Sequence, residues 1–374
     1  MDLDAFALNL RAIRARTGPS RKVLAVVKAD AYGHGAVPVA RRLEKEGVDH
    51  LGVALVEEGM ELRRAGVGKP ILLLGAFTPA QIPLIVEGSL TPTVYSIATL
   101  TTILEARRRL SRTIPFHLKI DTGMGRLGIL PHDLGAALDR IAALSEPALE
   151  GVLTTLAESD QPESPRTAEQ LRIFKSALEE IRRRGLKPLH LHIANSGGIV
   201  NHPPTWLDMV RPGILLYGLG PADGPAPTDL TPALSLRARV LQLKSMPKES
   251  PIGYGGAFIT SRESRIAIIA AGYGDGVNRL LHDSGHALIR GRRVPFAGRI
   301  SMDLSVVDVT DVPAAAEGDE VTIIGAQGDH SITAWEVARE CRTIPYEVLC
   351  AIGPRVPRIY IGEGAPRPIR SRFE

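Results

Sequence analysis

Lys28 ends an apolar run (23–28) and is followed directly by Ala29-Asp30-Ala31-Tyr32-Gly33-His34-Gly35. A lysine closing a buried strand is costly unless it is paired, snorkels to a rim or has a function. Partial desolvation lowers its pKa toward the free amine, the form that attacks a carbonyl carbon in Schiff-base chemistry. Two later runs end in Asn195-Ser196-Gly197-Gly198 and Arg211-Pro212-Gly213-Ile214. The Ser196 hydroxyl and the backbone N–H groups of Gly213 and Ile214 suit a phosphate, with Arg211 beside them. A third run carries Lys119 and Asp121 into Thr122-Gly123-Met124-Gly125-Arg126-Leu127-Gly128. Residues 123–128 match G-x-G-x-x-G, but Pro131 delays the next helix, whereas in a dinucleotide site the last glycine opens it. A glycine-rich rim loop presenting Arg126 is the better reading. His190 and His192, two apart on one run, read as packed histidines rather than metal ligands, so no metal is expected.

These groups need a scaffold that gathers strand ends. From Val23 to Tyr217 short apolar runs alternate with helical patterns of period 3.6. Strands are expected at 23–28, 50–55, 71–74, 91–95, 116–121, 150–156, 189–194 and 209–216, with helices including 37–46, 97–110, 134–144 and 167–184. Near-continuous apolar strands require cover on both faces. Eight such strands with crossover helices in about 200 residues is the count of a (β/α)8 barrel, whose active sites lie at the carboxyl ends of the strands. The loops after the seventh and eighth strands are the usual phosphate site. After Gly218 the texture changes, and residues 221–232 hold four prolines and read as a linker. Short β-like runs follow at 236–244, 265–270, 286–289, 293–297, 304–309 and 320–324, and only 334–340 looks helical. The expected architecture is therefore α/β: an N-terminal (β/α)8 TIM-type barrel, residues 1–228, then a mostly β C-terminal domain, residues 229–374.

Composition narrows the classes. The 374 residues are 44% hydrophobic and 23% charged, as in a soluble globular chain. No run of about 18 apolar residues occurs, so no membrane-spanning helix is expected. The opening Met1-Asp2-Leu3-Asp4 lacks the pattern of a secretory signal, and Cys341 and Cys350 are too few for a disulfide framework. A cytoplasmic location is expected. The net charge of +4 is dispersed and aromatics make up 4%, which argues against a nucleic-acid surface. A rim lysine, a phosphate cradle and arginines point to pyridoxal 5'-phosphate (PLP). A sugar-phosphate aldolase or isomerase could use the same parts and stays open at this point.

Nine segments then carry a resemblance. Residues 25–35, Lys119–Arg126, His192–Ser196, Arg211–Gly218, Gly253-Tyr254-Gly255, Gly272–Gly276, Gly298–Asp303, Pro345–Val348 and Arg355–Arg358 resemble the alanine racemase family, in order through both domains. The resemblance implies interconversion of L- and D-alanine with PLP, a homodimer with shared active sites, and D-alanine supplied for peptidoglycan. Lys28 would hold the cofactor and act as the base on the D-alanine side. Tyr254, from the partner subunit, would act on the L-alanine side. Tyr32, Ser196, Gly213, Ile214 and Tyr346 would bind the phosphate, and Arg211 would face the pyridine nitrogen. Arg126 would bind the cofactor's phenolic oxygen and the substrate carboxylate, with Met302 helping from the other subunit. Lys119 matches a lysine that can be carbamylated; the alternative is a salt bridge to Asp121 or another acid. Asp160, Tyr273, Arg279 and Arg299 would line the entryway.

Three departures stand out. Thr155 replaces a histidine that links the tyrosine base to the arginine, and a hydroxyl cannot titrate near neutrality, so altered tuning of Tyr254 is expected. Ser301 replaces a common cysteine. The chain opens within the family's usual Ile-Asp-Leu-Asp segment, so a short preceding strand is expected to be missing. A racemase for other amino acids is the runner-up. A non-catalytic PLP carrier would resemble the barrel alone.

Overall fold

A computed structural model describes residues 1–144, 148–221 and 229–365. Eight parallel strands form the first sheet: β1 (Lys22–Val26), β2 (His50–Val53), β3 (Ile71–Leu73), β4 (Leu90–Val94), β5 (Phe116–Lys119), β6 (Leu149–Leu153), β7 (His190–His192) and β8 (Met209–Val210). Their order is β7-β6-β5-β4-β3-β2-β1-β8. The ring is nearly closed, because the Asp208 N–H donates to the Leu191 carbonyl at 3.1 Å and the Arg211 N–H to Ala194 at 2.8 Å. Every residue of β2 to β5 is buried, as strands covered on both faces must be.

The covering helices sit near the expected places, at Ala36–Lys45, Ile97–Leu110, Leu134–Ala142 and Pro165–Arg183. A further helix, Leu3–Thr17, precedes the first strand. Leu3, Phe6, Leu10 and Ile13 repeat along one face and are buried, and the Asp2 carboxylate caps the start by accepting from the Asp4 N–H at 2.9 Å. Ahead of it, Asp2 bridges Ile361 in parallel register, so the chain's first residues pair with the second domain.

Two strand ends differ from expectation in ways that matter for the site. The first strand stops at Val26, so Lys28 opens a turn rather than closing a strand. The eighth stops at Val210: Pro212 has no N–H for a ladder, and a 3-10 turn, Ile214–Tyr217, follows.

The second domain is a mostly antiparallel sheet. Its strands run in the spatial order Arg292–Pro295, His286–Ile289, Glu320–Gln327, Leu236–Met246, Ser264–Ile269, Ser305–Asp308. Besides the helix at Ala334–Glu340 there is an unexpected one at Pro345–Cys350, whose proline presets the first helical turn. This helix packs against the turn that carries Lys28, so closely that a Cβ on Gly33 would lie 2.4 Å from the Leu349 carbonyl oxygen. Most of the proposed linker (222–228) and the domain boundary at 228 lie outside the described residues. Where description resumes, the Asn9 amide donates to the Leu216 and Thr231 carbonyls at 3.0 and 2.9 Å and accepts from the Thr231 N–H, tying the second domain's entry to the first helix. No described helix is long and apolar enough to cross a membrane.

Candidate active site

A cavity of about 400 Å³ opens at the carboxyl ends of the barrel strands. Lys28, Tyr32, Lys119, Arg126, Ser196, Arg211, Gly213, Ile214 and Tyr346 all line it, together with Asp160 and Thr155. Residues from five different strand ends therefore converge on one space.

Lys28 is placed by an unusual backbone. Ala29, Asp30, Ala31 and Tyr32 all have φ near +50°, a left-handed turn made of non-glycine residues. Each such residue costs roughly 1–2 kcal/mol, so neighbours must hold the turn. The Glu58 carboxylate accepts from the Ala29 N–H at 2.7 Å and from the Ala54 N–H at 2.7 Å. The Asp30 carboxylate accepts from the Ala36 N–H at 2.7 Å, and Tyr32 stacks on Tyr217 with ring centroids 4.7 Å apart. Burial, with Arg126 nearby, lowers the Lys28 pKa and so raises the fraction of free amine.

The phosphate candidates form a compact cradle. The Gly213 N–H donates to Ser196 Oγ at 2.9 Å, and a Cβ on Gly213 would lie 2.7 Å from the Tyr32 hydroxyl, so this approach needs glycine. The 3-10 turn starting at Ile214 adds N–H groups with no partner inside the turn. Burial pushes the Tyr346 phenol up to about 12 and the Tyr32 phenol above its usual value, so both are neutral donors at physiological pH. A hydroxyl, two phenols and backbone N–H groups fit a phosphate monoester, and an amine lies in the same cavity. This donor set fits PLP.

Arg211 is buried at the cavity floor. Its guanidinium donates to the Thr154 carbonyl at 2.8 Å and to the His192 carbonyl at 2.9 Å, and contacts His192 Nδ1 at 3.2 Å. His192 Nε2 is in turn 2.8 Å from His117 Nδ1. Burial lowers Arg211 to about 10, which still leaves it protonated near neutrality. Thr155 lines the cavity, but Arg211 is fixed by Thr154 and His192, so its position does not depend on residue 155.

The glycine-rich stretch after β5 is a rim loop with no helix at its end. The Asp121 carboxylate accepts from the N–H groups of Gly123, Met124 and Gly125 at 2.8–3.1 Å and of Arg126 at 3.0 Å. Burial alone would raise its pKa, but these four donors bring it below the usual carboxylate value. Asp121 thus organises the loop instead of pairing with Lys119. Among the described residues no carboxylate comes within 4.0 Å of the Lys119 ammonium. Burial, then Arg211 and Arg126, lower Lys119 to about 8.

Tyr254, Met302, Tyr273, Arg279 and Arg299 do not line this cavity. They belong to the second domain, where Tyr254 is 71% exposed and Met302 52% exposed. Gly253 packs on the Arg299 backbone, and the Tyr273 and Gly274 N–H groups donate to the Ser301 and Met302 carbonyls at 2.9 Å. Arg355 clamps this region through Asp275 and Asp303, each at 2.8 Å.

With this geometry in place, the chain can be set beside known proteins. Residues 1–221 match the family described as "Alanine racemase, N-terminal domain", and residues 233–360 match "Alanine racemase, C-terminal domain". The chain belongs to the alanine racemase family. It is 42% identical over 366 residues to alanine racemase 2 of Caldanaerobacter subterraneus, spanning 97% of this chain and 94% of that one. To the alanine racemase of Symbiobacterium thermophilum it is 43% identical, covering 98% and 97%. Among solved structures, alanine racemase from a D-cycloserine-producing Streptomyces lavendulae superposes with a TM-score of 0.92 at 38% identity, covering 97% of this chain and 96% of that one. The Bartonella henselae enzyme, solved with covalently bound pyridoxal phosphate, gives 0.88 at 32% identity, covering 96% and 98%. The chain is an isomerase of this type.

Sequence reasoning missed Glu58, His117 and the loop role of Asp121. Glu58 had a local signal, an acid in the first turn of the helix Val56–Arg64. Replacing Asp121 by Asn leaves the Arg126 N–H facing a group that no longer carries charge, the loss of a charge-assisted bond of about 1.5–3 kcal/mol. The expected outcome is a KM for alanine raised about tenfold, with cofactor content unchanged. An unchanged KM would remove Asp121 from the positioning of Arg126.

Proposed function

We propose that this chain racemises alanine with PLP by moving protons on two opposite sides of the substrate, and that its site is completed by a second subunit. What carries this reading is the gathering of Lys28, the phosphate cradle and two arginines in one cavity, while Tyr254 stands exposed on the second domain. When bound, the cofactor supplies the electron sink that makes the α-proton of alanine acidic. Lys28 holds the cofactor and exchanges the proton at Nζ on the D-alanine side, helped by a lowered pKa that keeps an amine available. Arg126 binds the substrate carboxylate and the cofactor's phenolic oxygen, which fixes the α-carbon between the bases. Tyr32, Ser196, Gly213, Ile214 and Tyr346 bind the phosphate. Arg211, still protonated near neutrality and fixed in place by its hydrogen bonds, would face the ring nitrogen as a donor and keep it unprotonated.

The second base is Tyr254 of the partner subunit, with Met302 beside it. Supporting this, Tyr254, Tyr273, Leu280, Met302 and Leu304 are large apolar side chains left 40–71% exposed in the second domain. A second copy of the barrel mouth, where Ile344 is 53% exposed, would cover such a patch. The C-terminal domain, taken as residues 229–374, thereby serves the partner's barrel, taken as 1–228. Asp160, Tyr273, Arg279 and Arg299 then line the entryway. The reaction provides D-alanine for peptidoglycan, in the cytoplasm.

Incubating the enzyme with PLP and L-alanine in D₂O tests this reading. Optical rotation should decay to zero as deuterium enters the α-position. Exchange with retained chirality would mean that only one side carries a working base.

Lys119 is inferred to carry a carbamate, since a buried amine lowered to about 8 among three cations, with no ion-paired acid among the described residues, suits reaction with carbon dioxide. The resulting anion would orient Arg126. Lys119→Ala should lower kcat about tenfold or more, the scale of a lost hydrogen bond between charged groups, and acetate should restore part of it. An unaffected kcat, or a defect that acetate leaves untouched, would argue against the carbamate.

A further inference from the structure

The opposite end of the barrel holds a group of side chains that the racemase reading does not use. TIM-type barrels fill their interior with branched aliphatic residues. Here the floor carries His50, the first residue of β2, Glu150 on β6 and His190, the first residue of β7. One ligand atom from each lies within 4.8 Å of the others. Both histidines are more than nine-tenths buried, and the Nδ1 atom of each is buried without a hydrogen-bond partner. An unsatisfied buried nitrogen costs about 1–3 kcal/mol, and two in one cluster need an explanation. The rings meet edge to face with centroids 5.1 Å apart.

We propose that His50, Glu150 and His190 form a three-ligand site for a divalent transition metal ion of the zinc class at the barrel floor. Two imidazoles and one carboxylate are a recurrent zinc set that leaves a fourth position for water. Bonds of about 2.1 Å place tetrahedral ligands about 3.4 Å apart, so side-chain movements of about an ångström close the set. Glu150 is already oriented by its neighbours: Thr91 Oγ1 donates to Glu150 Oε2 at 3.4 Å, and His117 Nε2 lies 3.8 Å from the same oxygen. Such outer contacts are what fix a ligating carboxylate. Of the fixed charges around the histidines, Lys22 and Lys69 are balanced by Asp49 and Asp208. Both acids are already engaged, Asp49 by the Val23 N–H and Asp208 by the Leu191 N–H. The net negative charge offered to an ion is that of Glu150. The pair His190 and His192 is thereby divided: His192 turns to Arg211 under the active-site cavity, and His190 belongs to the floor.

The test uses holoenzyme freed of metal with a chelator and titrated with cobalt(II), read by the visible d–d bands of tetrahedral cobalt. The expected result is one cobalt per chain, displaced by zinc. That equivalent should be lost in His50→Asn and His190→Asn and weakened at least tenfold in Glu150→Gln, with the cofactor content of His190→Asn unchanged. Glu150→Gln keeps the shape of the side chain, so it carries the comparison if a histidine variant does not fold. No tetrahedral cobalt in the parent, or an equal amount in the variants, would overturn the proposal; the latter would place the ion elsewhere, for example on the cofactor's phosphate.

Discussion

Crowding of like charge is the constraint on which the rest of the site depends. Lys28, Lys119, Arg126 and Arg211 share one cavity, and Asp160 is the only carboxylate lining it among the described residues. Burial and mutual repulsion lower the two lysines toward their neutral forms, while Arg211 is left charged. Such a cavity favours anions, and the phosphate and carboxylate groups of the proposed cofactor and substrate answer that demand. The same field keeps more of Lys28 as the free amine, which the proposed proton exchange would use.

Holding repelling cations in place requires rigid supports; Lys119 stands on β5 itself, and the other three each have their own. Lys28 stands on a left-handed turn braced by Glu58, Asp30 and the Pro345–Cys350 helix. Arg126 follows a loop gathered around one carboxylate. Arg211 is fixed by Thr154 and by His192, which leans on His117. These supports come from backbone strain, backbone N–H groups and the barrel interior respectively. With threonine at position 155 the arginine is still anchored by Thr154 and His192, so on the proposed reading any effect of that residue falls on Tyr254.

How much of this was legible depended on whether the signal was local. Lys28, Ser196 and Gly213 could be read because their types suit an amine and a phosphate cradle and each sits where an apolar run ends, although those parts alone left a sugar-phosphate enzyme open. The barrel could be read because its strands are apolar throughout. The true ends of β1 and β8 could not, since Val27 and the run Ile214–Tyr217 are as apolar as the strands before them, and only hydrogen-bonding geometry separates them. Helix Pro345–Cys350 is too short to show a period. Tyr254 has no local signal at all: between two glycines it reads as a turn residue, and the role proposed for its exposed side chain exists only across a subunit interface. His50, Glu150 and His190 are spread over 140 residues, and only barrel closure brings them together.

Each active site is proposed to join Lys28 of one chain to Tyr254 of another. Lys28→Ala and Tyr254→Phe chains, each inactive alone, can be co-expressed with different tags and assayed together. If half of the dimers are mixed and one of their two sites is intact, about a quarter of the parent activity should return. Folded, cofactor-loaded mixtures that remain inactive would contradict the account and place both bases within one chain.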